Sequence, residues 1–561
     1  MKFSSFTVTY FIGGKEYVSY AAENEHYKID SEIKESSIKA SIISKTEITL
    51  KRVDMIFSHE YGEKDKFFGN GYQAWTTSKE YAREEKMKDI IPLAATESLR
   101  NLAGISSDCR FVETPKSAGE FFSHTYTYIK NETGDNFFFV GSLTERQGFT
   151  VIYADMNKNL LTLSKDVEGV TINGEYDLFD MVCFEGGYDE VFDSYFSAMK
   201  LKKPRIDHMS GYTSWYNYFQ KIDENIILRD LDALDCAKDS VSIFQIDDGY
   251  ETFVGDWLDP NDEKFPGGMK MIADKIHEKG YLAGIWLAPF NLQRASRMYK
   301  EHPDWVIKNK NGHPLLGCAG WGGAYTMDVY NEECRAYIKE FFDVILNEWG
   351  YDMVKLDFLY SQCLFPRNGK SRGTIMCEAM EFLRECCGDK LILGCGVHHG
   401  AAFGYVDACR TGCDVDLKYS GKYYNKLHVN NELPSAKNSM INAMFRRHLD
   451  SRAFCNDPDV FFLRYSNLDF TMEQKHLLAG INHIFGNVLF VSDNAQEYKI
   501  GDVDVLKKAF EKTKLKVLSV DERKGSKYVV QLLDGEEKKT LIFDINTGES
   551  NIDEILGFSK Y

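Results

Sequence analysis

No stretch of this 561-residue chain is an uninterrupted apolar run of membrane-spanning length. Residues 1–17 carry one early lysine but neither a continuous apolar segment nor a small-residue cleavage site, so they do not read as a secretory leader. The expectation is a soluble, cytoplasmic protein. Positive charge is also short: 67 Lys and Arg stand against 85 Asp and Glu, a net charge of −18. That balance disfavours a nucleic-acid backbone or an anionic membrane as partner and suits a neutral small molecule.

Several catalytic signatures are missing as well. No Gly-Lys-Ser/Thr phosphate loop occurs, and Gly394-Cys395-Gly396 lacks the third glycine of a dinucleotide fingerprint. Neither serine nor cysteine sits in a nucleophile elbow. The only close histidine pair, His398-His399, is adjacent, and neighbours on a strand point to opposite faces, which suits a metal poorly unless the pair lies on a loop. No metal or organic cofactor is expected. The 13 cysteines are odd in number, scattered, and include the neighbours Cys386-Cys387, so they read as reduced thiols rather than a disulfide framework. The sequon Asn131-Glu132-Thr133 is then a chance match.

What is present divides into three textures. Residues 1–195 are rich in Thr, Ser, Ile, Val, Tyr and Phe, with alternating runs such as Phe6-Thr7-Val8-Thr9-Tyr10 and Asn136 to Gly141, which predict an antiparallel β-sandwich. From about 205 to 495, short apolar runs alternate with helix-length amphipathic segments, the mark of parallel β/α units. Eight strands are predicted: 212–216, 243–247, 283–287, 353–358, 391–395, 408–413, 454–457 and 488–491. Eight closes a (β/α)8 TIM barrel. Met269, Ile272 and Ile276 share one helical face that stops at Gly280; Tyr337, Phe341, Ile345 and Trp349 share another that stops at Gly350. A doubly wound open sheet is the alternative, but it gives no reason for polar residues to recur at the ends of so many strands. Residues 497–561 predict a small C-terminal β domain, with a hairpin turning at Asp534-Gly535. The fold class is therefore multidomain α/β, a TIM barrel flanked by a sandwich and a terminal β domain.

The strand-like stretch Val354-Lys355-Leu356-Asp357-Phe358 places Lys355 and Asp357 on one side of extended chain. Alone it fits an ion pair or a helix cap as well as a catalytic site. Arg410-Thr411-Gly412-Cys413-Asp414 supplies a second cation and carboxylate on another strand, and two such carboxylates suit acid/base and nucleophile work on a glycosidic bond. Asp416, two residues on, leaves the acid/base assignment open by the same periodicity. Asp247-Asp248 follows a buried run and could grip neighbouring sugar hydroxyls. Trp215 and Trp286 end predicted strands and offer flat walls to a sugar ring, whereas Trp349 fits core. Trp75, in Gly69-Asn70-Gly71-Tyr72-Gln73-Ala74-Trp75, fits either sandwich core or a loop reaching a neighbouring pocket.

Taken in order, Ser214-Trp215-Tyr216, Gln245 to Tyr250, Gly255-Asp256-Trp257, Gly284 to Phe290, Lys355 to Leu359, Gly394-Cys395-Gly396, Arg410 to Asp414 and Asn456-Asp457-Pro458-Asp459 resemble glycoside hydrolase family 36, the α-galactosidase family. The resemblance implies a retaining exo-α-galactosidase, with Asp357 the nucleophile and Asp414 the acid/base. It implies that Asp247 and Asp248 hold the axial 4-hydroxyl and the 6-hydroxyl, Lys355 and Arg410 the lower-numbered ring hydroxyls, and Trp215, Trp257, Trp286 and Trp75 the pocket walls, with Cys395 also at the substrate. After Gly396 the chain reads Val397-His398-His399 where the family usually soon has a proline, in a segment that in the family faces the 2-position of the sugar. An α-N-acetylgalactosaminidase, a transglycosylase and a non-catalytic sugar-binding barrel are the alternatives.

Overall fold

The structure, a computed structural model, describes residues 1–88, 111–112, 114–309, 311–421 and 434–559. It divides into two compact units: residues 1–202 with Gln362–Phe382 and Val397–Phe403, and Lys203–Ser361 with Leu383–Gly396 and Gly404–Tyr561.

The first unit is built on two seven-stranded antiparallel sheets. Its first strand, Lys2–Ile12, buries Phe6, Val8 and Tyr10 while their neighbours are partly exposed, the period-two pattern expected of a sandwich strand. Strand Phe137–Ser142 pairs on one side with Tyr126–Lys130 and on the other with Glu175–Gly186. Arg372 joins this unit through Asp166 (2.9 Å) and Glu168 (2.6 Å), so a buried guanidinium is matched by two carboxylates. His398, one of the two adjacent histidines, accepts the Ala401 N–H at the start of a short helix and stacks on Phe149.

The second unit contains the barrel. Its parallel strands are β1 (Met209–Thr213), β2 (Ile243–Ile246), β3 (Leu282–Leu287), β4 (Met353–Leu356), β5 (Leu391–Gly394), β6 (Ala408–Arg410), β7 in two pieces (Cys455–Asp457 and Val460–Phe461) and β8 (Val488–Val491). Each pairs with the next; the first piece of β7 pairs with β6, the second with β8, and β8 with β1. The two ends of the hydrogen-bonded order are thus one strand broken at Pro458, which lacks an N–H for the ladder, and the ring closes through it. Helices α1 (Glu224–Ala233), α2 (Gly268–Glu278), α3 (Glu332–Asp343), α4 (Arg372–Cys387), α5 (Ala436–Phe445), α6 (Met472–Phe485) and α7 (Ile500–Phe510) follow all strands but β5, after which comes only the turn of helix His399–Ala402. Helix α2 buries Met269, Ile272 and Ile276, and the chain leaves it through Gly280 at φ 89°. Trp349, expected in the core, is only half-buried: a π-helical turn, Val344–Glu348, rotates the end of α3 away from the face that buries Tyr337, Phe341 and Ile345. Beyond α7, strands Leu515–Arg523, Lys527–Asp534 and Glu537–Asp544 make an antiparallel sheet that turns at Gly535.

Strand β1 lies three residues earlier than its aromatic run suggests, because the segment from Trp215 to Tyr218 coils into a helical turn. At Gly211 of β1 a Cβ would come within 1.8 Å of the Ile243 carbonyl, so only glycine permits β1 and β2 to pair.

Under the barrel's C-terminal face, Arg464 and Asp493 form an ion pair of 2.7 Å with neither side chain exposed. Asp493 also accepts the Leu463 and Arg464 N–H groups and the Tyr498 hydroxyl, while Arg464 donates to the Tyr216 carbonyl. Asp493→Ala leaves that guanidinium buried and uncompensated, and is expected to destabilise the barrel by about 3–5 kcal/mol. A lowered thermal-unfolding midpoint checks this.

Candidate active site

The C-terminal ends of the strands bring polar side chains to one face of the barrel, as the fold requires. Strand β4 carries Lys355 and, one residue past its end, Asp357. Phe358 turns the chain at φ 54°, and its N–H donates to Asp357 Oδ1 at 2.7 Å. The Trp286 indole on β3 donates to Asp357 Oδ2 at 3.2 Å. A non-glycine residue held at positive φ beside a buried carboxylate is the kind of strain found at functional sites. Burial raises the Asp357 pKa; Lys355 works against this, Asp414 adds to it, and the two N–H donors lower it, leaving a net rise above the ordinary carboxylate value.

Lys355 Nζ lies 2.8 Å from Asp247 Oδ2, which also accepts from Gln245 (2.9 Å) and Thr213 (3.3 Å). Burial is the largest influence and disfavours the ammonium, but Asp247 with Cys395 and Asp357 together leave the Lys355 pKa raised. The cation is fixed and charged.

Arg410, at the end of β6 and 2% exposed, is the centre of the second carboxylate group. Its Nη2 reaches Asp414 Oδ1 at 2.6 Å, Asp459 Oδ2 at 2.8 Å and the Tyr216 hydroxyl at 3.1 Å, and its Nη1 lies 3.9 Å from Cys395 Sγ. Asp459 also accepts the Tyr216 hydroxyl and the Val415 N–H. Burial, opposed by Arg410 and reinforced by Asp414 and Asp457, pushes Asp459 up to about 7. The Asp414 side chain is 32% exposed, whereas Asp357 is 8% exposed. One carboxyl is reached by water and the other is enclosed. Asp416 instead accepts the Lys418 N–H two residues on, a local turn that separates it from Arg410.

Asp248 accepts from Gln220 Nε2 (3.0 and 3.1 Å) and from Trp321 Nε1 (2.8 Å). Glu251, buried beside it, has its pKa raised well above the usual range, first by burial and then by Asp248. Four rings run in series: Trp257 with Trp286 (5.8 Å between centroids), Trp286 with Trp321 (5.9 Å) and Trp321 with Phe358 (5.1 Å). Trp257 is fully enclosed between Trp286 and Phe341, so it backs the ring in front of it. Trp215 is half-buried against Phe219.

Asp357, Asp414, Asp247, Asp248, Lys355, Arg410, Cys395, Trp215, Trp257 and Trp286 all fall in the second unit. Trp75 belongs to the first, half-buried on the turn between strands Lys66–Gly69 and Lys79–Ala82. Tyr216, Gln220, Glu251, Trp321 and Asp459 join the constellation without having been singled out in the sequence. Only Asp459, inside the Asn456-Asp457-Pro458-Asp459 run, and Tyr216, inside Ser214-Trp215-Tyr216, carried a signal there.

Residues 213–365 match the sequence profile of the Melibiase family. An A type blood α-D-galactosamine galactosaminidase from Flavonifractor plautii is 31% identical over 152 residues, 25% of this chain and 14% of that protein. The bifunctional α-galactosidase/sucrose kinase of Mediterraneibacter gnavus is 26% identical over 188 residues, 32% of this chain and 19% of its own length. These alignments thus span less than a fifth of the curated relatives. Among solved structures, the Thermus thermophilus α-galactosidase TtGalA in complex with p-nitrophenyl α-D-galactopyranoside superposes with a TM-score of 0.69 at 24% identity, covering 89% of this chain and 96% of that one. The family 36 α-galactosidase AgaA of Geobacillus stearothermophilus gives 0.60 at 10% identity, covering 95% and 80%. Likeness at these identities speaks to the fold, and the fold is that of the (β/α)8 glycoside hydrolases. The chain thus carries a Melibiase-like segment at its barrel and shares its fold with family 36 α-galactosidase structures.

Proposed function

We propose that this protein is a retaining exo-α-galactosidase. The observation that carries the reading is the pairing of an enclosed, N–H-supported Asp357 with a water-accessible, Arg410-bound Asp414 at the ends of separate barrel strands. Double displacement requires one carboxyl of such a pair to be ionised and the other to hold a proton. Ionised Asp357 attacks the anomeric carbon as the glycosidic C–O bond breaks, and the Asp414 proton passes to the leaving oxygen. Asp414, now a carboxylate, takes a proton from water, whose oxygen attacks the same carbon from the opposite face and releases Asp357. Both nucleophiles and all protons come from the chain and water, so no metal or organic cofactor enters. In this reading Asp247 and Asp248 take the 4- and 6-hydroxyls, and Lys355, Arg410 and Cys395 face the remaining ring positions. The free thiols of the described cysteines suit a cytoplasmic location; among the described residues no helix is long and apolar enough to cross a membrane.

One observation favours a second reading: the Flavonifractor relative, similar over a quarter of this chain, is a galactosaminidase by name. Release of p-nitrophenol from the α-galactoside and the α-N-acetylgalactosaminide, compared side by side, separates the two. Faster turnover of the galactoside is expected. Preference for the N-acetyl substrate replaces the first reading by the second, and turnover of neither by folded protein overturns both.

A further inference from the structure

Carboxylate Asp248 has little accepting capacity left. An ionised carboxyl offers about four lone-pair positions. Gln220 Nε2 contacts both oxygens, Trp321 Nε1 takes Oδ2, and the Glu251 side chain lies against the same group. A sugar hydroxyl that donates to Asp248 must therefore displace one of these donors. Glu251 is 6% exposed and tied down by the Gly249 N–H and by a β-bridge to Pro260. Gln220 is solvent-exposed, in the loop between the helical turn after β1 and α1. Trp321 is different: its ring lies between Trp286 and Phe358, the two residues whose N–H groups hold Asp357, so its N–H arrives at Asp248 from the reacting side.

The backbone around Trp321 is suited to movement. Residues 321, 322 and 323 all have positive φ (55°, 74° and 103°), and a Cβ at Gly322 would meet nothing within 4 Å. Glycines on both sides leave the indole without packing neighbours along its own chain. A bond from the Gln293 amide to the Trp321 carbonyl, 2.9 Å, anchors the segment through its backbone and not through the ring.

We propose that Trp321 is a specificity-determining residue of the sugar site, its indole N–H competing with the primary hydroxyl of the incoming sugar for Asp248. The proposal rests on the reading that Asp248 takes the 6-hydroxyl. In the empty site the indole satisfies the carboxylate. A galactoside replaces it, and a pentoside without C6 leaves it in place, so Trp321 weakens binding of the hexoside and not of the pentoside.

The test compares p-nitrophenyl α-D-galactopyranoside with p-nitrophenyl β-L-arabinopyranoside, which has the same ring hydroxyl arrangement and no C6. Trp321→Phe keeps a ring and removes the N–H. Its KM for the galactoside is expected to fall about three- to tenfold, the worth of one freed hydrogen bond, with kcat held and the arabinoside KM unchanged. Gln220→Ala is expected to leave the ratio of the two KM values as in wild type. An unchanged ratio in Trp321→Phe, a rise in the galactoside KM, or a changed ratio in Gln220→Ala overturns the proposal. Failure of the underlying reading is distinguishable: wild type would then turn over neither glycoside, and this inference would fall with it. Galactoside turnover with an unmoved ratio removes the inference alone.

Discussion

Asp357→Ala is expected to lower kcat/KM on p-nitrophenyl α-galactoside by about four orders of magnitude, the scale seen when a nucleophile or its partner is removed from a preorganised site. At about 1.4 kcal/mol per tenfold, this is about 5–6 kcal/mol of transition-state stabilisation. The loss is local, because Asp357 holds only the Trp286 and Phe358 N–H groups, and neither anchors the barrel wall. Circular dichroism of the variant should match wild type. The alanine leaves space on the face opposite the leaving group, so azide should restore part of the rate and yield the β-galactosyl azide, with configuration inverted at the one carbon attacked. Azide that restores nothing, or a variant with near-wild-type rate, sinks the assignment. The same carboxyl sets a pH signature in the wild type. Turnover needs Asp357 ionised, and burial together with Asp414 raises its pKa. Activity is therefore lost on acidification through a limb that lies above the ordinary aspartate value of about 3.9.

The barrel was legible in the sequence because most strands are short, largely buried runs followed by an amphipathic helix, a pattern that needs no knowledge of partners. Strands β2, β3, β4, β5 and β8 fall within a residue or two of expectation. The misplaced elements share a cause. At β1, Met209-Ser210-Gly211 contains little apolar surface, and its burial is imposed by pairing with β2 and β8, while the aromatic run beyond it looks more strand-like and coils instead. At β7, Pro458 splits a strand whose second half, Val460–Phe461, has no local signal. Trp349 failed for a similar reason, since helical periodicity assumes 3.6 residues per turn and the π-turn after α3 departs from it.

The site was readable wherever charge stood at the end of an apolar run, as at Asp357, Arg410 and Asp247-Asp248. It was unreadable where function depends on distance through space. Trp321 sits in a glycine-rich loop 73 residues from the carboxylate it meets, and nothing local distinguishes it from Trp305 or Trp349. Tyr216 and Asp459 are 243 residues apart in the chain and share one bond. The difference between Asp414 and Asp416 is of the same kind. Period-two reasoning puts both on one face, but the chain leaves β6 at Arg410, and Asp416 closes a turn on Lys418 while Asp414 stays with Arg410.

That distinction yields the second large effect. Asp414→Ala is expected to slow hydrolysis of an oligosaccharide substrate by about 10²–10⁴-fold, the usual contribution of a general acid. Its leaving oxygen is basic and needs the proton. On the p-nitrophenyl glycoside the first step should be nearly spared, because that leaving group departs without help, while the second step lacks the base that activates water. A burst of p-nitrophenol followed by slow turnover, with a lowered KM, is the expected trace. Azide attacks the glycosyl intermediate without needing a base, so it should restore turnover and give the α-azide, the anomer opposite to that from Asp357→Ala. Arg410 keeps Asp459 at 2.8 Å and the Tyr216 hydroxyl at 3.1 Å after the substitution, so the guanidinium is not left without a counter-charge and the fold should hold. Asp416→Ala is expected to leave the oligosaccharide rate, the p-nitrophenol trace and the azide response near wild type. The reverse outcome, with the burst and the α-azide appearing in Asp416→Ala and not in Asp414→Ala, would move the proton to Asp416 and make the Arg410–Asp414 pair a structural contact.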